Sequence, residues 1–414
     1  MLHYAIIGNG GAGVSALQTI REFDTKSDLT LISREKYPAY SPCSLPNLLA
    51  GEITKPMIFR FESKFYNRFN VKFMKNTEAL QILPKLRKVK LTNGKNIIFD
   101  KLLIAAGAKP ITPKKMKGLG LFGVHIMGTL DSTLSILNHI KRGAHRAVVV
   151  GGGFMGVETA VMLKKKGLNV SIVEMLPHVL LRMLDEDISA KVEEILKEYD
   201  IDLLLNDTVK SINGKKKVDS VSLKKKILRC DMVIIAIGVK PNIDILRGSG
   251  IRVNQGVIVN PRMQTNKKNI YAAGDIAEVR EQIEGKQGSF AIWPNAVEQG
   301  RIAGLNMVGK PTIYNGAEVV NVLDVFKIPI IAMGFTSKDI GKCKAISRFT
   351  PYFSKKILLK NNRIVGLQFI GTIRNTGTFY SLMKKGSDVS SFKERLLDDN
   401  FLIAPDIILP KNDV

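Results

Sequence analysis

Cysteine is scarce in this chain of 414 residues, which holds only Cys43, Cys230 and Cys343, set far apart. Such spacing forms neither a paired metal-ligand motif nor a disulfide framework, and it fits a reducing, cytoplasmic setting. No metal site is expected. Long apolar runs are also missing. The best candidate, 319–335, carries Asp324 and Lys327 and reads as strand, so no segment is expected to cross a bilayer. Acidic residues are in short supply: 37 Asp and Glu face 62 Lys and Arg, a formal net charge of +25. The basic runs 114–117, 164–166, 215–217 and 224–226 are scattered and lack interleaved aromatics. That distribution argues against a dedicated nucleic-acid surface. It leaves a solvated lysine-rich exterior, or one that attracts anionic partners.

What is present describes a soluble globular protein, 45% hydrophobic and 24% charged. The length is too great for one ordinary core and predicts two or three domains. Strand-like sequence begins at His3, which leaves no room for a leader segment. The run Tyr4-Ala-Ile-Ile leads into Gly8-x-Gly10-x-x-Gly13, and helical apolar spacing continues over Val14–Phe23. In that arrangement Gly8 permits a tight turn and Gly10 lets a pyrophosphate approach the backbone. Gly13 lets helix and strand pack closely, with the phosphates at the helix N-terminus. The acid expected about 20 residues on should close the second strand. Ser33 stands there, so Glu35 is taken as the ribose partner.

The design recurs. Ala147-Val-Val-Val leads into Gly151-x-Gly153-x-x-Gly156, with Phe154 and Met155 between, and a helix follows through Leu163. A second strand, Asn169–Val173, is closed by Glu174. A carboxylate there accepts ribose hydroxyls and repels a 2′-phosphate, and no arginine follows until Arg182, so NADH is expected over NADPH. Two cradles imply two dinucleotides.

Two further apolar strands, Leu102-Leu-Ile-Ala-Ala-Gly107 and Met232-Val-Ile-Ile-Ala-Ile-Gly238, end in glycine turns, and Tyr271-Ala-Ala-Gly274-Asp275 follows. In this order the elements resemble the FAD-dependent pyridine nucleotide–disulfide oxidoreductase family, over almost the whole chain. The resemblance implies an α/β fold with two Rossmann-like dinucleotide-binding domains and a C-terminal α+β interface domain. The FAD domain would span 1–111 and 244–315, the NADH domain 112–243, and the interface domain 316–414, which implies a homodimer. FAD would be held by Gly8, Gly10, Gly11, Gly13, Glu35, Ala106, Gly107, Gly274 and Asp275. The segment Ile292-Trp-Pro-Asn-Ala-Val-Glu looks like the family's helix aimed at the flavin, with Ala296, Val297 and Glu298 as backbone contacts. NADH would lie on Gly151, Gly153, Phe154, Met155, Gly156, Glu174 and Gly238. Glu158 matches a family glutamate beside the nicotinamide–flavin stack.

The family's redox cysteines fall where Cys43 stands. The fifth residues on either side of it are Pro38 and Leu48, so no dithiol partner exists and the single-cysteine branch is the nearer match. Pro46 and Gly51 predict a short helix over Leu45–Ala50, and a thiol at its N-terminus is expected to have a lowered pKa. Cys230 and Cys343 show no such setting. Peroxidase members carry a histidine where this chain has Gly11, which argues against peroxide chemistry. The expected activity is transfer of electrons from NADH through flavin to coenzyme A disulfide or polysulfide by way of Cys43. The alternative is an electron-transfer component that serves an iron–sulfur protein or a larger complex.

Overall fold

The apolar runs that end at Gly8, Gly107, Gly151 and Gly238 form parallel strands that turn into a helix or a crossover. The computed structural model describes residues 1–62, 64–113, 115–398 and 401. Its first sheet is parallel and runs Ile270–Ala272, Lys101–Ile104, His3–Ile7, Asp28–Ile32, Lys72–Met74. All but the outer strand Lys72–Met74 are buried on both faces, as continuous β-branched and leucine runs require. The outermost strand on one side comes from far down the chain, so residues near 270 complete a sheet begun at residue 3.

A second parallel sheet runs Ile201–Leu204, Asn169–Val173, Arg146–Val150, Met232–Ile235, Val124–Ile126. In each sheet the strand before the glycine motif is central. The helices Gly11–Phe23 and Phe154–Lys165 follow directly. The chain passes between the two sheets twice, and the crossings Ala108–Pro110 and Val239–Pro241 pair as an antiparallel ribbon. Gly107 and Gly238 precede these crossings at φ of 63° and 107°, a region that favours glycine. Their carbonyls are used: Asn242 N–H donates to Gly107 and Ile111 N–H to Gly238.

The remaining unit is an antiparallel sheet ordered Val320–Val325, Ile328–Gly334, Arg363–Ile370, Ser354–Lys360, Lys344–Phe349. Helix Thr376–Lys385 lays Phe379, Leu382 and Met383 on it, in the register its apolar spacing predicts. One apolar cluster joins the units. Leu45, Leu48 and Leu49 of the short helix pack with Val157 and Val161 of the second unit and with Leu323 and Val325 of the third. A buried polar clamp reinforces the join. Lys356 Nζ lies 2.8 Å from both Asp185 and Asp187, Ser337 N–H donates to Asp185, and Asp185 N–H donates to Gln368 Oε1. Among the described residues no helix is long and apolar enough to cross a membrane.

Candidate functional site

The first glycine loop separates three roles by geometry. A Cβ on Gly8 would meet the Ala105 carbonyl, and one on Gly13 would fall 1.9 Å from the Gly8 carbonyl oxygen. These two positions serve packing. A Cβ on Gly10 would meet nothing within 4 Å, so the backbone faces open space there. Gly10 is also the helix N-cap and accepts from Val14 N–H. The N–H groups of Gly11, Ala12 and Gly13 therefore lack intrahelical acceptors and suit an anion. Glu35 lies close by, half-buried, and accepts a 2.7 Å hydrogen bond from Tyr40, whose hydroxyl accepts in turn from Leu130 N–H. The other carboxylate oxygen stays available for a ribose.

Ala106 lies against the Gly8 turn, and Gly274, at φ 78°, packs on Ala12. Gln299, almost fully buried, accepts from Gly274 N–H at 2.8 Å and so fixes the turn that presents Asp275. The sequence reading missed Gln299 as a positioning residue, although it stands in the segment read as the flavin-facing helix. That helix, Trp293–Met307, begins earlier than its sequence-predicted contacts imply. Ala296 N–H already donates to Ile292 O, and the Glu298 side chain is exposed and paired with Arg301. The unsatisfied N–H groups belong to Trp293 and Asn295, because Pro294 has none. Ala296 N–H, one residue beyond Asn295, is thus already used within the helix. Trp293 and Val297 instead fill the space beside Gly11, 3.3 and 3.2 Å from where a side chain would start.

The second loop repeats the first. A Cβ on Gly151 would meet the Ala236 carbonyl, one on Gly156 would fall 1.9 Å from the Gly151 oxygen, and Gly153 faces open space. Gly153 caps helix Phe154–Lys165, which leaves the N–H groups of Phe154, Met155 and Gly156 available. Glu174 is buried at the end of Asn169–Val173 and accepts from Gly152 N–H and from Leu176 N–H. Arg182 is exposed.

Cys43, Glu158 and Asp275 lie near one another in one partly exposed cleft. They arrive from three segments, and the charges of Glu158 and Asp275 both act on the Cys43 thiol. Burial pushes Glu158 up to about 7. It pushes Asp275 up to about 6, against the pull of its own backbone N–H. The thiol is open to the cleft, yet lost hydration pushes it up, a hydrogen bond with Ser41 opposes this, and Glu158 adds to the rise. The lowered pKa expected at Cys43 is therefore not found. Helix Leu45–Ala50 forms within its sequence-predicted bounds, with Gly51 as a left-handed cap, but Cys43 sits ahead of it in the tight turn Pro42–Ser44. The helix is short, and desolvation outweighs any help from its end. Cys230 is buried and Cys343 half-buried. A separate cavity of about 610 Å³, lined by Glu284, Lys360, Arg363 and Met383 among others, shares none of these residues, so volume alone does not mark the site.

Two glycine loops with an open middle position, each backed by a carboxylate, fit two dinucleotides, and the Asp275 carboxylate accepts only from its own N–H among the described residues. Residues 2–300 match the family model described as pyridine nucleotide-disulphide oxidoreductase, and the chain belongs to that family. It is an oxidoreductase, with FAD and NAD(H) as its cofactors. The chain is 33% identical over 389 residues to an NADH oxidase of Methanocaldococcus jannaschii, covering 88% of this chain and 87% of the relative. It is 30% identical over 388 residues to an NADH-rubredoxin oxidoreductase of Clostridium acetobutylicum, covering 93% and 94%. The structure of a NAD-dependent persulfide reductase from A. fulgidus superposes with a TM-score of 0.88 at 25% identity, over 98% of this chain and 80% of that one.

Proposed function

We propose that the protein is an FAD-dependent NADH oxidoreductase that reduces a disulfide or polysulfide through Cys43. The observation that carries this reading is the meeting of Cys43, Glu158 and Asp275 in one cleft of a chain with two dinucleotide cradles. Bound FAD supplies the relay of two electrons from nicotinamide to a second substrate. The rest falls to the chain. The loops at Gly10 and Gly153 bind the two pyrophosphates, Glu35 and Glu174 orient the riboses, and Asp275 accepts from a sugar-chain hydroxyl of FAD. Glu174, without a nearby arginine, sets NADH above NADPH. As thiolate, Cys43 attacks one sulfur of the acceptor, forms a mixed disulfide and releases one thiolate. Two electrons from NADH then cleave that mixed disulfide, which releases the second thiolate and restores Cys43. The sum is RSSR + NADH + H⁺ giving 2 RSH + NAD⁺. Glu158 holds a proton at its carboxyl up to about pH 7, which spares the thiolate a like charge beside it. The division at 1–111, 112–243, 244–315 and 316–414, a reducing cytoplasmic setting and a second copy docked through 316–414 belong to the same reading.

One observation favours a second reading. The Cys43 thiol is pushed up, so less of it is thiolate at neutral pH, and a relative is named for a protein acceptor, rubredoxin. In that reading electrons leave directly to an acceptor protein. Anaerobic titration of the FAD-loaded protein with NADH separates the two. When the protein is first charged with coenzyme A disulfide so that Cys43 carries a mixed disulfide, uptake of about two electrons beyond those of the flavin, with a broad long-wavelength thiolate–flavin band, supports the cysteine route. Uptake by flavin alone supports direct transfer.

A further inference from the structure

We infer that the outer edge of the C-terminal sheet docks an acidic protein. Residues 336–386 hold eleven lysines and arginines and a single acid, Asp339, so this short stretch carries +10 of the chain's +25. Where the sheet faces the rest of the molecule, its cations are matched by carboxylates brought from elsewhere. Lys356 meets Asp185 and Asp187, Lys360 meets Glu284, and Lys384 meets Glu318. Lys342, Lys344 and Arg374 are exposed and form no ion pair among the described residues.

Strand Lys344–Phe349 ends the sheet and pairs only with Ser354–Lys360 among the described residues, and most of its side chains are exposed. Lysines on an edge strand also keep copies of it from pairing. That role does not account for the apolar groups beside it. Phe349 is 43% exposed, Tyr352 87% and Ile373 66%, and the Tyr352 turn abuts Gly371, so the three crowd one end of the edge. Lys342 and Lys344 stand at one end of the strand and Phe349, Tyr352 and Ile373 at the other, and exposed cations with exposed aromatic and aliphatic groups are a composition suited to a docking surface.

Charge selects the occupant. The second copy read above as docking through 316–414 is placed off this edge, because a two-fold axis here would bring the same excess of cations against it, and juxtaposed like charges oppose such pairing. An acidic partner gains both steering and neutralisation. This inference rests on the protein-acceptor reading above, and the partner it fits is a small acidic electron-transfer protein.

The test uses the FAD-loaded full chain and, as probe, a rubredoxin of strongly negative net charge. The triple reversal Lys342→Glu, Lys344→Glu, Arg374→Glu is compared with Lys215→Glu, Lys216→Glu, Lys225→Glu, which alters net charge equally on the exposed surface of the second unit. Titration calorimetry and the KM for NADH-driven rubredoxin reduction are measured at low and moderate salt. The first variant is expected to weaken binding at least tenfold and to flatten the salt dependence, while the second changes binding less than twofold. Equal losses in both variants, or no loss in the first, would overturn the docking site. So would a parent dimer, seen by sedimentation, that the first variant dissociates. NADH reduction of a small dye should be unchanged in both variants. If the parent protein itself fails to reduce the dye, the oxidoreductase reading falls rather than the docking site.

Discussion

Gly13→Ala and Gly10→Val should fail in opposite ways. An alanine Cβ at position 13 would lie 1.9 Å from the Gly8 carbonyl oxygen and 3.0 Å from its carbon. Carbon atoms rest about 3.5 Å from their neighbours, so helix Gly11–Phe23 would have to retreat by roughly 1.5 Å. The opposing atoms are backbone and cannot rotate aside. Retreat is also blocked from behind, where Gly300 packs so closely on Ala12 that its own Cβ would strike the Ala12 carbonyl. Overpacking of this kind costs about 1–3 kcal/mol, and the rigid surroundings put this case at the upper end. For a unit of this size that corresponds to a Tm lowered by roughly 5–10 °C. Gly10, at φ −87° and ψ −167°, has a backbone open to any residue and free space before it. Valine there should leave the stability of the stripped protein within about 0.5 kcal/mol and yet abolish FAD retention, because the branched side chain takes the pyrophosphate's place. Thermal unfolding of the stripped protein and flavin absorbance of the purified one read the two effects separately. A Gly10→Val protein that purifies yellow and fully loaded, or a Gly13→Ala protein that melts with the parent, would refute this division of roles.

Flavin reduction should favour NADH over NADPH by at least about tenfold, about 1.4 kcal/mol, and stopped-flow rates with the two nucleotides check this. Glu158→Gln should remove the pH dependence of turnover centred near 7, since the titrating carboxyl is gone; a profile that keeps that step assigns it to another group. Lys356→Met should cost about 3–5 kcal/mol, because Asp185, as buried as Lys356 itself, loses its cation; denaturant unfolding measures the loss. The buried pair His125 and His139, 3.2 Å apart, has His125 pushed down to about 4 by burial and by its neighbour. The unfolded chain binds that proton from about pH 6.5 and the folded one only near 4, so stability should fall as pH drops through this window. Unfolding midpoints at successive pH values should level off there once His125 and His139 are both replaced by apolar residues.

The two cradles were legible because their chemistry is local. A strand, three glycines at fixed spacing and a helix occupy about twenty residues, and each glycine answers a distance within that span. Helices Leu45–Ala50 and Thr376–Lys385 were legible for the same reason, since Pro46, Gly51 and a run of apolar spacing set their ends. Properties that depend on what surrounds a side chain were not. The Cys43 thiol was expected to be acidified by a nearby helix end, but the walls of its cleft come from segments that no local pattern brings together. The polar clamp at Lys356 joins residues 152 or more positions apart and leaves no periodic trace. The start of Trp293–Met307 depends on which carbonyl takes the first helical hydrogen bond, which spacing alone does not decide.

Cys43→Ser bears most directly on how electrons leave the protein. Serine is nearly isosteric, so FAD retention and flavin reduction by NADH should survive, whereas the hydroxyl neither ionises at neutral pH nor forms a mixed disulfide. NADH-dependent reduction of coenzyme A disulfide or polysulfide is predicted to fall by orders of magnitude, while reduction of a small one-electron dye persists. Disulfide reduction that survives the substitution would contradict the proposed route and leave Cys43 a packing residue beside the cleft.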